Sequence, residues 1–244
     1  MREIVYNLEN VGYHYQQSLP VLANINMQIF KGEKIIILGA NGCGKSTLLK
    51  MMDGLIFPNS GRIEAFGQIL NERNLNNNPY EFRKKVGLVF QDSDMQLFCS
   101  SVFDEIAFAP LQLNWNQNNL QEHLEATLKD FGLMDLQDRP PYRLSGGEKK
   151  KVALASITIY NPEVLLLDEP TNGLDPRTQK WFLAQLADFN QKGTTLIIAT
   201  HDLEIAKNLA DRVIVMNERH EIEIIGKPEE IFMNEQLLAD VNLI

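Results

Sequence analysis

The feature that most restricts this chain is the run Gly39-Ala40-Asn41-Gly42-Cys43-Gly44-Lys45-Ser46-Thr47, set between the apolar tetrad Ile35-Ile36-Ile37-Leu38 and an apolar helical stretch. The spacing fits GxxxxGK[ST], and the flanks are those such a loop requires, a buried strand before it and a helix after it. Glycines let successive main-chain N–H groups turn into one concavity that suits phosphate oxygens, and the following helix adds the positive end of its dipole. Lys45 would then bring a point charge to the β- and γ-phosphates, and Ser46 a hydroxyl to Mg²⁺. Cys43 occupies a loop position beside the phosphates where a thiol is sterically tolerated.

The rest of the chain agrees with such a loop. Short apolar runs alternate with amphipathic stretches and are punctuated by Gly and Pro, the pattern of an α/β sheet. Buried strands are predicted at Lys34–Leu38 and at residues 86–90, 164–167 and 195–199, each too short for a helix. Partly alternating stretches at 4–15, 25–30 and 61–69 suit an antiparallel side sheet. Helices are predicted over 104–113, 119–131 and 145–159, with a Pro-containing loop at 138–144 and a polar turn at 74–78. Pro176–Gln191 reads as a helix with Asp175 as N-cap, Pro176 at its first position and Gly193 just past its end.

Composition removes several classes. With 244 residues, 44% hydrophobic and 23% charged, the chain can bury a core. A net charge of −9 gives no global field to attract nucleic acid or an anionic bilayer. No apolar run approaches the roughly 20 residues of a spanning helix, and Met1-Arg2-Glu3 begins no signal peptide. Two cysteines far apart, Cys43 and Cys99, indicate neither zinc nor a disulfide framework. Lys149-Lys150-Lys151 reads as a solvated helix face.

Asp168-Glu169 follows the strand predicted at 164–167, so both carboxylates leave the sheet at its carboxyl end, where α/β folds place ligands. Asp168 would hold Mg²⁺, and Glu169 would polarise an attacking water. Together with Leu144-Ser145-Gly146-Gly147-Glu148, Asp168-Glu169-Pro170-Thr171, Gly173-Leu174-Asp175 and Ala199-Thr200-His201-Asp202, the loop completes an ordered set that resembles the ABC ATPases over nearly the whole chain.

The resemblance implies an α/β fold with a P-loop NTPase core (a RecA-like mixed sheet), an antiparallel β subdomain and an inserted α-helical subdomain. This would be a single ABC ATPase domain over 1–244, with the β subdomain and core at about 1–90 and 162–216. The helical subdomain falls at about 92–161 and a short C-terminal extension at about 217–244. ATP and Mg²⁺ are the implied cofactors. Tyr15, with Tyr13 the other candidate, would stack on adenine; Gln91 would reach Mg²⁺ and water; His201 would contact the γ-phosphate; Asp175 would communicate across a dimer. Ser145, Gly146 and Gly147 start a helix and so suit an anion, and in the family they serve the partner's nucleotide. The implied partners are a second ATPase subunit and integral membrane transport subunits, at the cytoplasmic face of the membrane, with no nucleic acid.

Within the family, residues 86–98, ending Asp94-Met95-Gln96-Leu97-Phe98, and Ile106-Ala107-Phe108-Ala109-Pro110 resemble energy-coupling-factor ATPases that power cobalt, nickel and vitamin uptake. Ser156 stands where most ABC ATPases have arginine, a departure shared with that branch, and Lys151 replaces another common arginine. The chain ends soon after Gly226-Lys227-Pro228-Glu229-Glu230. That favours a dedicated single-substrate importer with a homodimer of this chain; a general ABC importer for another substrate is the alternative.

Overall fold

The computed structural model describes residues 2–16, 19–77 and 79–244. Among these, strands β1 (Ile4–Gln16), β2 (Leu19–Phe30), β3 (Lys34–Leu38), β4 (Ser60–Ala65), β5 (Gln68–Ile69), β6 (Val86–Val89), β7 (Val164–Asp168), β8 (Thr195–Thr200), β9 (Arg212–Met216) and β10 (Ile222–Gly226) form two sheets. The antiparallel sheet runs β2-β1-β4-β5, and the second runs β10-β9-β3-β8-β7-β6. In the second sheet β9, β3, β8, β7 and β6 are parallel and only β10 is antiparallel.

The parallel strands are apolar on both faces because both faces are covered. Along β3, Ile36 and Leu38 enter one core and Ile35 and Ile37 the other. The helices, in chain order, are α1 (Lys45–Met52), α2 (Glu72–Asn77), α3 (Pro79–Arg83), α4 (Val102–Gln112), α5 (Gln117–Asp130), α6 (Gly146–Thr158), α7 (Pro176–Gln191), α8 (Leu203–Leu209), α9 (Pro228–Phe232) and α10 (Glu235–Asp240). One core joins the sheet to α4–α8 and to the last two helices; the other joins it to α1 and the antiparallel sheet. Each buried Leu or Ile contributes on the order of 1.5–3 kcal/mol, so this double-sided burial fixes the strand order.

The structure differs from the sequence expectations in several details: 61–69 is two strands, β4 and β5, β2 begins at Leu19, and α3, α8, α9 and α10 are further elements. Residues 72–77 are a short helix rather than a polar turn: the Asn71 side chain accepts from the Asn74 N–H at 2.8 Å, and Leu75 packs against the core. One apolar residue in six shows no period, which is why a turn was the natural reading; residue 78 lies outside the described residues. Strand β9 had a usable signal in Val213-Ile214-Val215-Met216, an apolar run as short as the other core strands. Strand β10 is only half-buried and gives no clear alternation.

Glycine at 87 lets α6 approach β6. A Cβ there would lie 2.1 Å from Ile157 Cγ2, far inside van der Waals contact. Gly87→Ala is expected to destabilise the fold by about 1–3 kcal/mol through overpacking, measurable as a lowered urea midpoint with an unchanged m-value; an unshifted midpoint would show that α6 yields freely.

Candidate functional site

Four loops leave the carboxyl edge of the parallel sheet and meet: the phosphate loop after β3, Phe90-Gln91 after β6, Asp168-Glu169 at the end of β7, and Thr200-His201 at the end of β8. The first three line a cavity of about 320 Å³ with Asn41, Gly42, Lys45, Ser46, Gln91, Asp168 and Glu169, among others, and Thr200 and His201 stand behind it, bonded to Glu169.

The loop reaches α1 through Gly42 at φ 87° and Gly44 at φ 111°, values that residues with a side chain rarely adopt. Gly44 has a second constraint, since a Cβ would meet the Val21 carbonyl at 2.4 Å. Gly44 is also the N-cap of α1 and supplies no side chain, so the first N–H groups of the helix are left for a ligand. Lys45 is only 6% exposed and folds back to donate to the carbonyls of Gly39, at 2.7 Å, and Ala40, at 3.1 Å. Its Nζ lies 3.9 Å from Glu169 Oε1.

Glu169 adopts φ 42°, a backbone state that costs a non-glycine residue of order 1–3 kcal/mol. The Glu169 N–H bond to the Ala199 carbonyl, 2.9 Å, holds it there. The result is a buried carboxylate held by two side-chain partners: Thr200 Oγ1 donates to Oε2 at 3.0 Å, and His201 Nδ1 lies 2.8 Å from Oε1. A carboxylate only accepts, so Nδ1 carries the proton. His201 is placed by the next helix, since Asp202 caps α8 by accepting from Glu204 and Ile205 N–H.

Asp168 is buried, and burial raises its pKa, with a hydrogen bond from the Ser46 side chain partly opposing the shift. Its Oδ1 has no hydrogen-bond partner. A buried, unpaired carboxylate oxygen beside a hydroxyl suits a hard cation. Among the described residues no cluster of three His, Cys, Asp or Glu could hold a metal alone, so a cation here would complete its shell from nucleotide oxygens and water.

Gln91 is exposed at the cavity wall. Tyr15 is 58% exposed and its hydroxyl lies 3.3 Å from Thr47 Oγ1, which presents a free aromatic face over the start of α1. Tyr13 supports that ring edge-to-face at 4.9 Å and is itself half-buried, so Tyr15 is the better stacking platform.

Ser145, Gly146 and Gly147 do not line the cavity with the phosphate loop. Ser145 and Gly146 are exposed at the start of α6, in a capping box where the Ser145 hydroxyl donates to Glu148 Oε2 at 2.7 Å. Asp175 caps α7 through the N–H groups of Arg177 and Thr178, and Thr178 lies against Gly147, so the two exposed elements adjoin.

Two expectations need correction. The lysine triplet is not a solvated face: Lys149 pairs with Asp94, Lys150 is buried, and Lys151 lies 4.6 Å over the Trp181 ring. Burial pulls Lys150 down to about 8, and the charges of Asp168, Asp92 and Glu169 oppose the shift. Only contacts across the fold distinguish these lysines from solvated ones. Likewise the Cys43 side chain does not face phosphate; it is buried in the core on the β-sheet side, which leaves only its backbone to the loop. Burial raises its thiol pKa, and burial together with the Glu105 charge pushes Cys99 up to about 11. Both thiols are therefore protonated and slow at neutral pH. Alkylation of the native protein should proceed slowly and without ATP protection, with both cysteines reacting in guanidinium; fast Cys43 labelling that ATP blocks would return the thiol to the phosphate side.

The sequence matches the family described as ABC transporter over residues 22–172. A protein of Caldanaerobacter subterraneus subsp. tengcongensis named for the same family is 58% identical over 98% of this chain and 99% of its own. The nickel import ATP-binding protein NikO of Rhodobacter capsulatus is 44% identical over 98% of this chain and 95% of its own. The structure of cbiO1 from Clostridium perfringens, part of the ABC transporter complex cbiONQ, superposes with a TM-score of 0.83 at 36% identity, covering 99% of this chain and 95% of that one. With the ordered motifs gathered at one sheet edge, these likenesses mean that the chain belongs to the ABC transporter family as an ATP-binding, ATP-hydrolysing subunit.

Proposed function

We propose that this ATPase powers an energy-coupling-factor type importer for a transition metal ion (cobalt or nickel) or a vitamin, acting as a homodimer at the cytoplasmic face of the membrane with integral membrane subunits. The observation that carries the hydrolytic part is the Glu169 carboxylate, buried at the cavity floor between Lys45, Thr200 and His201. ATP enters with its phosphates at the α1 N-terminus and its adenine on Tyr15. Lys45 leaves the Gly39 and Ala40 carbonyls for the β- and γ-phosphates, and Asn41 and Gly42 close the lip. Ser46, Asp168 and Gln91 would hold Mg²⁺, which would supply charge neutralisation. Glu169 accepts the proton of the attacking water, and His201 orients the carboxylate and the water toward the γ-phosphate.

Dimerisation follows from the missing half of the site. Ser145, Gly146 and Gly147 lie outside the cavity, with Ser145 and Gly146 exposed, so the signature of a second copy would close it, with Asp175 beside the seam.

Two observations favour the importer class. Met95, Phe98, Phe108 and Leu111 are exposed apolar side chains just beyond Gln91, with Phe98 and Phe108 in edge-to-face contact at 4.9 Å, which suits a docked protein partner. The likeness to the nickel import protein NikO favours a metal ion over the cargo of a general ABC importer.

Glu169→Gln should keep ATP binding and lower kcat by about 10²–10⁴-fold, the range of a positioned general base, while trapping a nucleotide-bound dimer visible by size exclusion; wild-type turnover would remove Glu169 as the base. For the transport reading, affinity purification from membranes should recover integral subunits, and loss of the chain should abolish cobalt, nickel or vitamin uptake. Normal uptake of all three would leave the general importer.

A further inference from the structure

The Asp94-Met95-Gln96-Leu97-Phe98 segment and the lysines after the signature meet in the structure. Lys149 pairs with Asp94. Gln96 is bonded on both sides: its Oε1 accepts from Phe90 N–H at 3.1 Å, and its Nε2 donates to the Ala153 carbonyl of α6 at 3.1 Å. Leu97 packs on the core, and the Phe98 and Cys99 N–H groups both donate to Glu105 of α4. The loop bearing Gln91 is thus fixed to the helix that begins with the signature.

Lys150 is the innermost member of this set. It is 4% exposed, and its Nζ donates to the main-chain carbonyls of Gln91, at 2.7 Å, and Phe90, at 3.2 Å. No carboxylate forms an ion pair with it among the described residues. Its direct partners are neutral carbonyls, and the carboxylates of Asp168, Asp92 and Glu169 offset its desolvation only from a distance. Surface exposure would have been easier to satisfy, and what the burial achieves is a fixed main chain at residues 90 and 91.

We propose that Lys150 is a positioning residue for hydrolysis: its ammonium clamps the Phe90 and Gln91 carbonyls to α6 and so sets where the Gln91 side chain stands in the cavity. The clamp also ties Gln91, which serves the chain's own nucleotide, to Ser145 one and a half turns away on the same helix, which faces the partner's. Movement of α6 therefore reaches the Gln91 backbone directly. The inference rests on the role given to Gln91 in the proposed function.

The test is steady-state MgATP hydrolysis by the full chain, with thermal melting as a check on folding. Lys150→Met should lower kcat about tenfold and leave KM for ATP within about threefold, because the clamp acts on the chemical step rather than on nucleotide capture. Lys150→Arg, which can donate to both carbonyls, should recover most of that loss. In a Gln91→Ala background, Lys150→Met should change kcat by less than about twofold, the non-additivity expected of residues that act through one another. Equal losses in both backgrounds, no loss at all, or a loss confined to KM would overturn the clamp. If Lys150→Met melts below the assay temperature, Lys150→Leu, which likewise has no donor, is judged by the same criteria at a lower assay temperature. Wild-type kcat in Gln91→Ala alone would instead remove the role of Gln91, a separate failure.

Discussion

The site depends on one buried positive charge. Lys45 is nearly inaccessible, and an ammonium taken out of water needs partners whether or not a nucleotide is bound. The Gly39 and Ala40 carbonyls and the Glu169 carboxylate are those partners here. Phosphate therefore replaces existing contacts, and a site that already holds its charge needs little rearrangement when the ligand arrives. The glycine geometry, the strained Glu169 backbone and the interleaved order of β3, β8 and β7 all serve to bring that ammonium and that carboxylate together.

How much of this could be read in advance follows the range of the interactions. The phosphate loop, the strand before it and the caps of α7 are local, determined by residues within a few positions of one another, and they were legible. The acidic pair was legible because its strand places both residues at the carboxyl edge. What stayed hidden depends on distant partners. Lys149, Lys150 and Lys151 look like any charged helix face until the loop after β6 and the Trp181 ring come into contact with them. Cys43 gives no sign that its side chain turns from the phosphates into the core. The choice between Tyr13 and Tyr15 needed the position of Thr47, 32 residues away.

Among the residues that resemble energy-coupling-factor ATPases, the segment 94–98 is the discriminating part, and the structure gives it physical tasks. Asp94 and Gln96 bind α6, Leu97 fills the core, and Phe98 remains outside as part of an apolar patch. Three positions contact the body of the fold and two, Met95 and Phe98, face outward, so the segment joins an exposed apolar patch to an active-site loop within five residues.

The capping box at Ser145 has a consequence for assembly. The hydroxyl that would meet a phosphate is already committed to Glu148, and that carboxylate is itself an anion placed at the helix start. The resting chain thus carries its own decoy for the ligand it awaits. A partner without nucleotide offers nothing better than Glu148 and would add no stronger acceptor, whereas a triphosphate brings several acceptor oxygens and more charge. In the proposed dimer, self-occupancy of this kind would make the encounter between subunits depend on a bound triphosphate.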